Sequence, residues 1–76
     1  MNTLDTMERT AVRSRDIAVI GYDPSSFTLE VTFRSGGVYH YSGVPEEIYR
    51  EFLSVSSQGR YFEQNIKHLF LYRKVR

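Results

Sequence analysis

Seventy-six residues, 41% of them hydrophobic and 25% charged, with six Tyr and five Phe, describe one small folded domain and exclude a disordered tail. A chain this short buries only about 60% of the surface its unfolded form exposes, so its stability rests on good packing or on self-association. The absence of cysteine removes disulfides, thiolate metal sites and cysteine nucleophiles, and a net charge of +1 specifies no polyanionic partner by itself.

Residues 1–8 are polar and aperiodic and read as a poorly ordered leader to a single domain over 9–76, with Met7 as an alternative start. No apolar run approaches the roughly 20 residues of a membrane span, and the N-terminus lacks a signal peptide's apolar segment. A cytoplasmic protein without a membrane partner is therefore expected. Thr10-Ala11-Val12 suits a short extended piece. Ile17 to Tyr22 is a β-branched run of strand length, closed by the turn chemistry of Asp23-Pro24-Ser25-Ser26.

From Phe27 to Arg34 the alternation is strict. Phe27, Leu29, Val31 and Phe33 fall on one face, and Thr28, Glu30, Thr32 and Arg34 on the other, as in a strand with one wet side. Ser35-Gly36-Gly37 forms a hairpin loop, and Val38 to Ser42 returns. Loop length decides where Tyr39 and Tyr41 point, because a slip of one residue exchanges the faces. A two-residue loop turns both tyrosines to water beside Thr32 and Glu30. A three-residue loop with a left-handed glycine places them on the Val31/Leu29 side. The second register is favoured because it gathers the apolar residues on one face, leaving only Val38 outside.

Pro45-Glu46-Glu47 fits a helix start, with proline near the first helical position and acids against the helix dipole. Ile48, Phe52 and Val55 then form an apolar stripe. Ser56-Ser57-Gln58-Gly59 interrupts it, and either serine suits the cap of a second helix, in which Phe62, Ile66 and Leu69 share a face with Tyr61 beside them. The expected fold is α+β: a three-stranded antiparallel meander (17–22, 28–34, 38–42) followed by two helices (45–55, 57–68) packed on its apolar face. Phe70 to Arg76 is aromatic and basic and can be extended. Residues 66–76 hold Lys67, Arg73, Lys74 and Arg76 without an acid, so the positive charge collects at this end.

Three blocks in order give the chain a family resemblance. They are Val12-Arg13-Ser14 through Ile17 to Ile20-Gly21-Tyr22-Asp23; Phe33-Arg34-Ser35-Gly36 into Tyr39-His40-Tyr41 with Val44-Pro45; and Ser57-Gln58-Gly59-Arg60-Tyr61-Phe62, Ile66-Lys67, Phe70-Leu71-Tyr72-Arg73. Over residues 9–75 these resemble the KTSC domain. That short family occurs at the C-terminal end of some lysyl-tRNA synthetases and as a stand-alone small bacterial or phage protein. Arg15, Glu63 and Phe70-Leu71 depart from its usual residues without touching the hydrophobic frame. The family has no established activity; its company with a tRNA synthetase implies RNA as a partner, tRNA-like or single-stranded.

The candidate phosphate contacts are Lys67, Arg73, Lys74 and Arg76, with Arg60 and His68 nearby and Tyr72 as a stacking surface. Tyr39 and Tyr41 either stack on bases or roof the core with their hydroxyls at its rim. His40 and His68 are the only histidines, and no motif makes them metal ligands. Ser14, Ser56 and Ser57 suit turns and caps, and Glu46, Glu47 and Glu51 suit helix-surface pairing; neither set forms a catalytic arrangement. The resulting expectation is a non-catalytic binding module for RNA, without cofactor or metal. The alternative is a protein–protein or self-association module that binds no nucleic acid.

Overall fold

The computed structural model describes residues 7–76. Its sheet is five-stranded and antiparallel, in the order β1 (Glu8–Ala11), β2 (Ile17–Asp23), β3 (Thr28–Phe33), β4 (Val38–Tyr41), β5 (Tyr72–Lys74). Helices α1 (Glu46–Ser54) and α2 (Gln58–Asn65) lie between β4 and β5 in the chain. The expected α+β class and central meander stand, but the sheet has five strands where the sequence suggested three. The two additions are its edges. Every residue of β1 and β5 is exposed, so neither carries the alternation that betrays a strand. Glu8 of β1 pairs with Tyr22; the rest of the expected leader over 1–8 falls almost wholly on residues 1–6, which lie outside the described residues.

The hairpin register follows the three-residue loop. Val31 pairs with Tyr39 and Leu29 with Tyr41, while the Phe33 N–H donates to the Gly37 carbonyl at 2.9 Å and Gly36 takes φ 111°. That positive φ is the conformation glycine supplies without steric cost. In β2 a register shift between Ile17 and Val19 breaks the alternation, so Ile17, Ile20 and Tyr22 all reach the core.

Both helices pack on the face formed by these residues with Leu29, Val31 and Tyr41. Phe62 of α2 meets Phe33 and Tyr41 edge-on at centroid distances of 5.4 and 5.6 Å. Tyr49 of α1 stacks on Tyr22 at 4.7 Å, and the Tyr22 hydroxyl donates to the Val44 carbonyl at 2.6 Å. Pro45 is the residue before α1, and Ser57 caps α2 by accepting from the Arg60 N–H.

Three local expectations are corrected. Phe27 stands outside β3 in a left-handed turn (φ 56°), where strand alternation no longer holds; its side chain is exposed and its carbonyl accepts from the Val44 N–H at 2.9 Å. Leu69 does not join Phe62 and Ile66 in the core: α2 ends at Asn65, well short of residue 68, and Leu69 is 65% exposed. Val38 lies on the face opposite the helices yet is buried, its backbone paired with residues 75 and 76.

That opposite face has its own organisation. One residue from each strand forms a row across the sheet: Arg9, Gly21, Glu30, His40, Arg73. Glu30 is only 4% exposed. The Arg9 Nε donates to its Oε1 at 2.7 Å, and His40 Nε2 lies 2.8 Å from its Oε2. Gly21 makes this possible, since a Cβ there would come within 3.1 Å of Arg9 Cγ and 3.0 Å of Met7 Sδ. Arg9 crosses β2 over a residue with no side chain.

Candidate functional site

Where β5 joins the sheet, its helix side and α2 enclose a cleft of about 510 Å³. Three strands and one helix supply its aromatic wall. Phe33 and Tyr39 meet edge-on at 5.6 Å, and Tyr72 lies 5.9 Å from Tyr39 and 5.6 Å from Tyr41. Tyr72 is 60% exposed, Tyr39 half-buried and Tyr41 buried. Lys67, His68 and Lys74 stand at the same cleft with the acids Asp16 and Glu63. Lys67 pairs with Glu63 one helical turn away at 3.5 Å; Lys74 has no ion pair among the described residues.

Strand alternation sorts the basic end of the chain. Lys74 is paired with Tyr39 and Tyr72 with Tyr41, all on the helix side, whereas Arg73 is paired with His40 on the other face. Arg76 follows β5 and its backbone pairs with Val38; it is absent from the cleft lining. Arg60 faces a second cleft, which shares Asp16, Gly59 and Glu63 with the first. Of the six basic or aromatic candidates, the structure unites Lys67, Lys74 and Tyr72, and it adds Tyr39 and Tyr41 to them.

The two central tyrosines have separate roles. Tyr41 roofs the core, and burial, followed by its neighbours Tyr39, Tyr72 and Glu63, pushes its phenol up to about 12. It therefore stays a neutral donor throughout the physiological range. Tyr39 keeps part of its ring in the cleft. Residue patterns alone did not bring Asp16, Ser35 or Gly37 to this wall, because each sits in a loop that only folding carries there. Their signal was positional: Ser35 and Gly37 flank the glycine turn that fixes the tyrosines' direction.

Among the described residues, no group of three or more His, Cys, Asp or Glu side chains is placed to hold a metal ion. His40 is engaged with Glu30 on the far face, and His68 stands at the cleft. The serines do local work: Ser14 Oγ accepts from the N–H groups of Asp16 and Ile17, and Ser54 Oγ donates to the Glu51 carbonyl. Glu46 pairs with Arg50, and Glu51 accepts from the Tyr61 hydroxyl at 2.7 Å.

A meandering sheet with two helices on one face and an aromatic-walled cleft at its end defines a small α+β domain. The chain belongs to the KTSC family, whose profile matches residues 13–70. The crystal structure of a KTSC domain protein from Yersinia pestis shares the fold with a TM-score of 0.89 at 47% identity, covering 92% of this chain and 99% of that one. A small uncharacterised protein of Stutzerimonas stutzeri is 43% identical over 61 residues, 80% of this chain and 86% of its own length. A lysine–tRNA ligase of Nostoc is 37% identical over 54 residues, which is 71% of this chain but 10% of the ligase.

Proposed function

We propose that the chain is a non-catalytic module that binds single-stranded RNA in the cleft between β5 and α2. The supporting observation is an exposed Tyr72 ring beside the half-buried Tyr39, with the unpaired Lys74 on the same strand and Lys67 across the cleft. Aromatic rings accept any base by stacking, and lysines neutralise the phosphates that follow. The similarity to a stretch of a lysine–tRNA ligase lends the RNA class a context. Two lysines predict a salt slope of about −1.4 on a single strand, and loss of the Tyr72 ring should cost about 1–3 kcal/mol of binding.

Fluorescence anisotropy with single-stranded RNA, an RNA hairpin and duplex DNA from 50 to 200 mM salt tests the reading. Preference for the single strand, lost in Tyr72→Ala, is expected. No binding of RNA at 50 mM salt would end it. One observation favours a protein partner or a second copy instead: Leu71 is 82% and Leu69 65% exposed beside the short edge strand β5. Concentration-dependent mass in light scattering, abolished by Leu71→Asp, would support that second reading.

A further inference from the structure

We infer that the second cleft, lined by Arg13, Arg15 and Arg60, is a phosphate-binding site that extends the RNA track beyond the aromatic cleft. The inference rests on the RNA reading above and lengthens its footprint. The two clefts adjoin, since Asp16, Gly59 and Glu63 line both. The arginines come from two separate parts of the chain, the loop between β1 and β2 and the first turn of α2. All three are exposed, and among the described residues none makes a side-chain hydrogen bond or ion pair.

The nearby acids leave the site positive. Even with Glu63 counted in full, Asp16 and Glu63 are two carboxylates against three guanidinium groups among the cleft residues. The first turn of α2 contains no acid, so nothing there opposes Arg60.

The loop that carries two of the arginines is already held in place. The Arg34 guanidinium donates to the carbonyls of Val12 and Ser14 at 2.9 and 2.8 Å, and the Arg34 N–H donates to the Asp16 carbonyl at 2.8 Å. Ser14 Oγ accepts from the next backbone N–H groups. The main chain is thus fixed while Arg13 and Arg15 project without partners, an arrangement that lowers the ordering cost of gripping an anion. Guanidinium groups match phosphate oxygens two at a time, which suits a polyanionic backbone better than a single carboxylate. The aromatic cleft holds the bases and the arginine cleft holds the phosphates that follow.

The test compares tetranucleotide and octanucleotide single-stranded RNAs by anisotropy at several salt concentrations. Octamer binding to the Arg13→Ala/Arg15→Ala/Arg60→Ala variant should weaken by at least about tenfold at 100 mM salt, with a slope shallower by about 2, while tetramer binding is unchanged. Lysine at the three positions should restore most of the slope and only part of the affinity. If the alanine variant binds the octamer with wild-type affinity and slope, the inference is overturned. Should Lys67→Ala/Lys74→Ala nevertheless weaken both lengths, the aromatic cleft reading survives that result. Wild-type protein that binds neither RNA removes both. If the triple variant does not fold, Arg15→Ala alone carries the test, with an expected loss of about 0.7 from the slope.

Discussion

Glu30 is a carboxylate buried on the side of the sheet away from the helices, and it is ionised there because of Arg9. The Arg9 hydrogen bond is the largest influence on it and, helped by His40, outweighs burial, holding its carboxyl below the ordinary value of 4.5. A depressed carboxylate stabilises the fold above its unfolded pKa and loses that contribution as pH falls through the folded value. The melting temperature of the wild type should exceed that of Glu30→Gln at pH 6, and the gap should close on acidification towards pH 3. A gap that does not change with pH would show that the ion pairs add nothing. Tyr41 behaves in the opposite direction. Its phenol, like that of Tyr61, is raised to about 12, so the stability it contributes is complete below pH 10 and lost as pH rises towards 12. Absorbance titration should find these two among the late-ionising tyrosines. Tyr41→Ala should cost about 3 kcal/mol and Tyr39→Ala distinctly less, as read from urea unfolding.

At the scale of elements, the edge strand β1 depends on what β2 lacks. Arg9 crosses β2 only because Gly21 has no side chain, and its salt bridge ties β1 to β3 across the strand between them. Gly21→Val should displace Arg9 and destabilise the domain by about 2 kcal/mol. Amide exchange should then rise along Glu8–Ala11 while the β2–β3 ladder stays protected. Uniform loss of protection would instead mean that β1 is integral to the fold. The central hairpin was legible from its alternation and its glycine turn, which favour the register that gathers the apolar residues on one face over the alternative with the tyrosines facing water. The edge strands were legible only as extended pieces, not as members of the sheet: a short, fully exposed strand shows no hydrophobic period, and its neighbour defines it. The end of α2 was misread because Leu69 continues a helical spacing that the backbone abandons after Asn65.

For the whole molecule, the question is how the positive C-terminal end presents itself. As a linear cluster it suggested four phosphate contacts and a salt slope of about −3 on a single strand. Folded, it divides: Lys67 and Lys74 face the aromatic cleft, while Arg73 stands on the opposite side of the sheet next to His40. Arg73→Ala should therefore leave the RNA salt slope unchanged, whereas Lys67→Ala/Lys74→Ala should remove about 1.4 from it. Equal effects of the two variants would mean that RNA wraps the edge of the sheet and touches both faces.

The sequence by itself determined the α+β class, the central β2–β3–β4 meander, the two helices and the KTSC family, because each is written in local periodicity, turn chemistry or motif order. It favoured one direction for Tyr39 and Tyr41, the register that gathers the apolar residues on one face, and the pairing of Val31 with Tyr39 decided it. Tertiary structure alone decided the completion of the sheet, the buried Glu30 cluster and the membership of the two clefts. These depend on pairing between segments far apart in the chain: β5 beside β4, Arg9 over Gly21, the Arg13–Arg15 loop beside the start of α2. No local pattern encodes such meetings. They arise only when the core has folded and brought distant segments side by side.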